Sequence, residues 1–155
     1  MPTTRSTADL PHAQATLAGA SQILLFLRLE GLAAAAVSAV LYAHTGASWW
    51  LFAALWIVPD LSILGYLAGP NWGARIYNAI HSYVTPATLA VSALLLRCPA
   101  LLPFALIWIN HIGVDRMLGY GLKYRTGFKW THLSGLERRL GKQGDEVIPA
   151  SESPC

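Results

Sequence analysis

Four apolar runs, each about 21 or 22 residues long, restrict what this chain can fold into more than any other feature. The first spans about residues 22–43, QILLFLRLEGLAAAAVSAVLYA, and the second about 48–68, SWWLFAALWIVPDLSILGYLA. A third covers about 75–96 and a fourth about 99–120. At 1.5 Å per residue each is long enough as a helix for a hydrocarbon core of ~30 Å. Backbone polar groups in lipid must be paired within the chain, so helices are the spans this pattern predicts. The expected fold is all-α, an integral membrane bundle of four antiparallel transmembrane helices joined at HTGA, GPNWG and Arg97-Cys98-Pro99.

Composition agrees: 54% of the 155 residues are hydrophobic and 12% charged, half the charged share of a soluble domain. The chain divides into a polar N-terminal segment (1–21), the transmembrane domain (22–120), a basic aromatic juxtamembrane segment (121–143) and a disordered tail (144–155). The N-terminal segment lacks the charged start and short apolar core of a secretory signal. Cys98 and Cys155 have no metal spacing and are too few for a disulfide framework. Lys123, Arg125, Lys129, Arg138, Arg139 and Lys142 follow the fourth run, whereas the loop after the first has no lysine or arginine. The positive-inside rule therefore puts the C-terminus in the cytoplasm, and an even number of spans returns the N-terminus there. Orientation explains the basic stretch, so no nucleic acid is expected as a partner. The partner is the lipid bilayer, with tryptophans as interfacial anchors or lipid-facing bulk.

The runs carry residues that lipid does not tolerate alone. Glu30, Asp60, His81, His111 and Asp115 all fall roughly 8–14 Å from the cytoplasmic ends of their helices at 1.5 Å per residue. Stray polar residues would scatter over the full thickness. An isolated charge at a helix centre costs ~2.5–3.5 kcal/mol on insertion scales, so these carboxylates need partners. His111 and Asp115 are spaced i, i+4 and share a helix face. Tyr77, Asn78 and His81 share a face of the third span, and Pro59 predicts a kink where Asp60 is presented.

Two imidazoles and two carboxylates from three helices suit a divalent metal ion. Asp60, His81, His111 and Asp115 are the candidate ligands, with zinc favoured and manganese or iron admissible with added water. Such an ion would activate water and polarise the bond under attack. Glu30 is the candidate general base or proton shuttle, and Arg28 or Arg116 the candidate anion holder. Bland readings exist for each. His111 and Asp115 could neutralise each other as a hydrogen-bonded pair, Asp60 could pair with Arg116 or Arg28, and Arg116 could snorkel to the interface.

LLFLRLEGLA, PDLSILGYLAGP, YNAIHSY, HIGVDRMLGYGLKYRTGFK and THL together resemble the bacterial membrane family of domain of unknown function 4260, over about residues 24–132. That resemblance implies no activity. The PD, HS and HxxxD motifs are more distantly similar to LexA-regulated, inner-membrane, metal-dependent hydrolases, and map onto Asp60, His81 with Ser82, and His111 with Asp115. The second resemblance implies a bacterial inner-membrane location and hydrolysis of a lipid or membrane-soluble substrate. An N-terminal histidine expected there is missing, with Glu30 the nearest substitute. Two other functions use the same residues: a proton- or ion-coupled transport element, as a homo-oligomer, or a b-type electron carrier with haem on His81 and His111. Few spans and no visible broken-helix pair argue against transport. Carboxylates beside both histidines argue against haem.

Overall fold

The computed structural model describes residues 9–122, and over that stretch every regular element is helical. Three segments are long and apolar enough to cross a membrane: 19–44, 49–68 and 99–118. The described chain also presents many large apolar side chains outward, among them Leu25, Phe26, Val37, Leu64, Leu67, Leu94 and Leu95. Several of its most buried positions are instead polar, namely Ser38, Ser62, His81, Asn110 and His111. Inside-out burial of this kind suits lipid as the surrounding solvent, because lipid gives apolar side chains no reason to turn inward.

Helix α1 (Asp9–His44) begins well before the expected boundary at Gln22. The sequence explains the early start: alanine, leucine and glutamine dominate residues 13–20, and Pro11 lies in the first turn, where its missing N–H costs nothing. The second run starts as α2 (Trp49–Trp56), capped by Ser48 accepting from the Trp50 N–H at 3.2 Å. It then becomes a 3-10 helix over Val58–Ala68. Pro59 forces the change, since it has no N–H and its ring would clash with the Leu55 carbonyl. Asp60 donates its N–H to Ile57 at 3.1 Å, one residue closer than in an α-helix. The predicted kink is thus a change of helix type. Eleven residues of 3-10 geometry far exceed the usual three or four, and such stretches mark strain or function.

The third run departs most from expectation. It is two helices, α3 (Pro70–Ile80) and α4 (Val84–Leu95), separated at His81–Tyr83. Pro86 is the cause, because its ring would collide with the Ser82 carbonyl in a continuous helix. Ser82 opens α4 by accepting from the Val84 N–H at 3.3 Å. Two carbonyls orphaned by the break find new donors. Thr85 Oγ1 donates to Ala79 at 2.6 Å, and the Trp108 indole N–H donates to Ile80 at 2.8 Å. Neither α3 nor α4 alone has the length of a span. The fourth run is a short 3-10 turn, Pro99–Leu101, leading into α5 (Leu102–Leu118).

Helix α5 is the hub. α1 lies along it, α2 and α4 pack on it, and α3 folds back on the 3-10 segment. α1 and α5 cross through small residues: a Cβ added at Gly31 would stand 2.7 Å from Gly113 O and Met117 N, and one at Gly113 2.7 Å from Ala35 N. Close backbone approach through glycine is how helices associate where hydrophobic driving force is absent. Polar bonds reinforce it. Asn110 donates from Nδ2 to Ala35 O at 2.7 Å and accepts the Trp56 indole N–H at 3.0 Å, linking α1, α2 and α5. Near the other end, Tyr42, Leu106 and Ile107 form an apolar cluster, with the Tyr42 hydroxyl donating to Ser48 O at 2.7 Å. The expected juxtamembrane segment beyond 122 and the tail lie outside the described residues, as do residues 1–8.

Candidate metal centre

Each interruption carries a polar residue inward. Asp60 follows the proline near the start of the 3-10 helix, His81 caps the C-terminus of α3 at the break, and α5 presents His111 and Asp115 one turn apart. The four donor atoms converge so that no two are more than 4.8 Å apart. His81 Nε2 and His111 Nε2 are separated by 3.3 Å. His81 Nε2 is 3.6 Å from both Asp60 Oδ1 and Asp115 Oδ2. His111 Nε2 is 3.6 Å from Asp60 Oδ1 and 3.7 Å from Asp115 Oδ2.

These distances discriminate between readings. At 3.7 Å His111 Nε2 and Asp115 Oδ2 are too far apart for a hydrogen bond, and they neutralise each other only as an ion pair with His111 protonated. Zinc bonded at ~2.0–2.2 Å to nitrogen and oxygen holds its tetrahedral ligands about 3.3–3.5 Å apart, close to the spacing seen here. The imidazoles point the same way. His81 Nδ1 lies 3.1 Å from the Tyr77 carbonyl, which fixes the proton on Nδ1 and leaves Nε2 with its lone pair facing His111. His111 Nδ1 has no partner among the described residues, so its Nε2 either donates to that lone pair at 3.3 Å or, with the proton on Nδ1, turns a second lone pair toward a shared cation. The group of Asp60, His81, His111 and Asp115 can therefore hold a metal ion.

Aromatic rings wall the group. Tyr77 stacks on His81 with centroids 3.8 Å apart, and Trp56 stands edge to face with His111 at 4.9 Å. His111 Nδ1 is buried with no hydrogen-bond partner among the described residues. The side chains of His81 and His111 are only 4% and 1% exposed, that of Asp115 17% and that of Asp60 40%. Access to the group is from the Asp60 side.

The remaining candidates are not in this group. Glu30 is exposed on α1, and Arg28 and Arg116 are half-buried. Glu30 and Arg116 both lie within Coulombic reach of Tyr83, as does Asp115, so they flank the site without joining its donor atoms. Sequence reasoning missed Trp56 and Trp108, which were expected to be anchors or lipid-facing. They are structural donors inside the bundle, Trp56 to Asn110 and Trp108 to the broken end of α3. Their positions within a turn of Asp60 and His111 were a signal available in advance.

A bundle of apolar helices around two buried histidines and two partly exposed aspartates defines a membrane-type protein with a possible metal centre. The family model Domain of unknown function (DUF4260) matches residues 24–136, and the chain belongs to that family. No curated protein and no solved structure matches it.

Proposed function

We propose that this chain is a bacterial inner-membrane protein that crosses the bilayer four times with both termini in the cytoplasm. In this reading Asp60, His81, His111 and Asp115 hold one divalent cation, zinc first, and the protein hydrolyses a lipid or membrane-soluble ester or phosphoester. The third crossing is the broken pair α3 and α4. The observation that carries the reading is the set of donor separations, 3.3 Å between the imidazole nitrogens and 3.6–3.7 Å from each to the carboxylates. The motif likeness to LexA-regulated hydrolases supports the same assignment. A bound ion would lower the pKa of a water and polarise the bond under attack. The water oxygen then adds to the acyl carbon or phosphorus, the bond to the alcohol oxygen breaks, and the proton given up by water ends on that alcohol. The half-open Asp60 edge admits the substrate. Glu30 relays the proton, and Arg116 or Arg28 holds an anionic headgroup.

One observation favours a second reading. Two helices are interrupted where they present Asp60 and His81, contrary to the expectation of unbroken spans, and interrupted helices form ion sites in secondary transporters. An oligomeric transport element coupled to a cation or proton would use the same four residues. The geometry does not suit haem. Both imidazole nitrogens have carboxylates within 3.7 Å, where the macrocycle would have to pass.

Elemental analysis after chelator-free purification in mild detergent tests the centre. Wild-type protein is expected to hold stoichiometric metal, and His111→Ala, Asp115→Ala and the double variant to lose it while still inserting. Wild type that holds none and takes up none on titration overturns the proposal. Turnover of lipid esters against metal flux into proteoliposomes then separates hydrolase from transporter.

A further inference from the structure

Beside the candidate centre lies a cavity of about 390 Å³, within the range of ligand pockets. Ser62, Ile80, Leu89, Phe104, Ile107 and Trp108 are among its lining residues. Its position is set by the ligands themselves. Ile80 precedes His81, Ser62 follows Asp60 by two, and Phe104, Ile107 and Trp108 stand within two turns before His111 on α5. The lining is almost wholly apolar, with one exception. Ser62 is 8% exposed and its Oγ is buried without a hydrogen-bond partner, whereas Ser38, also buried in the bundle, donates to Ala34 and Ala35. A buried hydroxyl without a partner is costly in an apolar setting. An apolar slot with a single spare hydroxyl, lined by residues next in sequence to Asp60 and His81, has the polarity order of an esterified lipid: chain, ester carbonyl, headgroup.

We propose that this cavity seats one acyl chain of a bilayer glycerolipid, with Ser62 Oγ–H donating to its ester carbonyl and the headgroup reaching the centre formed by Asp60, His81, His111 and Asp115. The assignment rests on the hydrolase reading above and names its substrate class. The chain enters from the surrounding lipid, which the outward apolar side chains of α1 and α4 already face. Because bilayer and cavity are equally apolar, the ester contact, rather than hydrophobic transfer, selects the ligand.

The test uses the full chain in vesicles of phosphatidylethanolamine and phosphatidylglycerol, doped with a phosphatidylethanolamine that carries a diazirine midway along one chain. After photolysis, labelling is expected to concentrate on Ile107 and Trp108 relative to the lipid-facing Leu25 and Phe26. In Leu89→Trp and in Phe104→Trp, each of which fills the slot from a different helix, it should fall to the Leu25 level. An ether-linked probe should label the cavity of wild type less than the ester, and Ser62→Ala should remove that preference. Cavity labelling no stronger than at Leu25, labelling that survives in both blocked variants, or equal labelling by ester and ether in wild type would each overturn the proposal. His111→Ala keeps the labelling while losing the metal. A failed metal centre therefore leaves this result standing, and a failed pocket leaves metal content unchanged.

Discussion

Replacing Gly113 by alanine tests whether the crossing of α1 and α5 holds the site together. The new Cβ would lie 2.7 Å from Ala35 N, 2.8 Å from Gly31 O and 3.1 Å from Ala35 Cα, where ordinary contact begins at 3.4 Å. All three neighbours are backbone atoms, so no rotamer relieves the clash. α1 must withdraw by about 0.7 Å, the difference between 3.4 and 2.7 Å. The same shift would stretch the 2.7 Å bond from Asn110 to Ala35 toward the limit of a hydrogen bond. Overpacking costs ~1–3 kcal/mol, and an interhelical bond in a membrane is worth ~0.6 and at most ~1.7 kcal/mol. Alanine returns up to ~1 kcal/mol of helix propensity, so the net loss is about 1–3 kcal/mol. Gly19→Ala is the control, since nothing lies within 4 Å of its added Cβ, and it should be neutral or slightly stabilising. Reversible unfolding in mixed micelles of lipid and sodium dodecyl sulfate measures both. Because the clash is with backbone, Ala35→Gly should not rescue Gly113→Ala. Equal stabilities for the two glycine variants, or rescue by Ala35→Gly, would refute the reasoning.

Asn110→Leu removes the bonds to Ala35 and Trp56 together and should cost about 1–3 kcal/mol in the same assay, against a near-neutral result if these bonds carry nothing. Trp108→Phe removes the donor to the Ile80 carbonyl and should cost up to ~1.7 kcal/mol, whereas a lipid-facing tryptophan would show no loss. An alkaline phosphatase fusion in the loop at Thr45 should be active and one at the C-terminus inactive. The reverse pattern would overturn the orientation drawn from the basic flank. Protein expressed with ample haem should be colourless, and a Soret band lost in His81→Ala would restore the electron carrier.

The sequence alone pointed to lipid as the solvent and singled out four polar residues within it. Runs of some twenty apolar residues can only be helices in lipid, and the energetic cost of charge there makes Asp60, His81, His111 and Asp115 conspicuous one by one. Their common depth followed from counting residues, since rise per residue in a helix is fixed. Pro59 and Pro86 also stand in the sequence, yet the apolar runs that contain them are continuous in hydropathy. Hydropathy does not register a missing N–H. Tertiary structure decided what periodicity cannot encode: that α3 and α4 part at His81, that Trp56 and Trp108 donate inward, and that Glu30 stays outside the donor group. It also decided that the two imidazole nitrogens stand 3.3 Å apart, each 3.6–3.7 Å from both carboxylates. Depth is a property of one helix, whereas rotation and separation depend on every helix at once. Here the approach of Gly31 to Gly113, and the carbonyls left at the broken end of α3, set both.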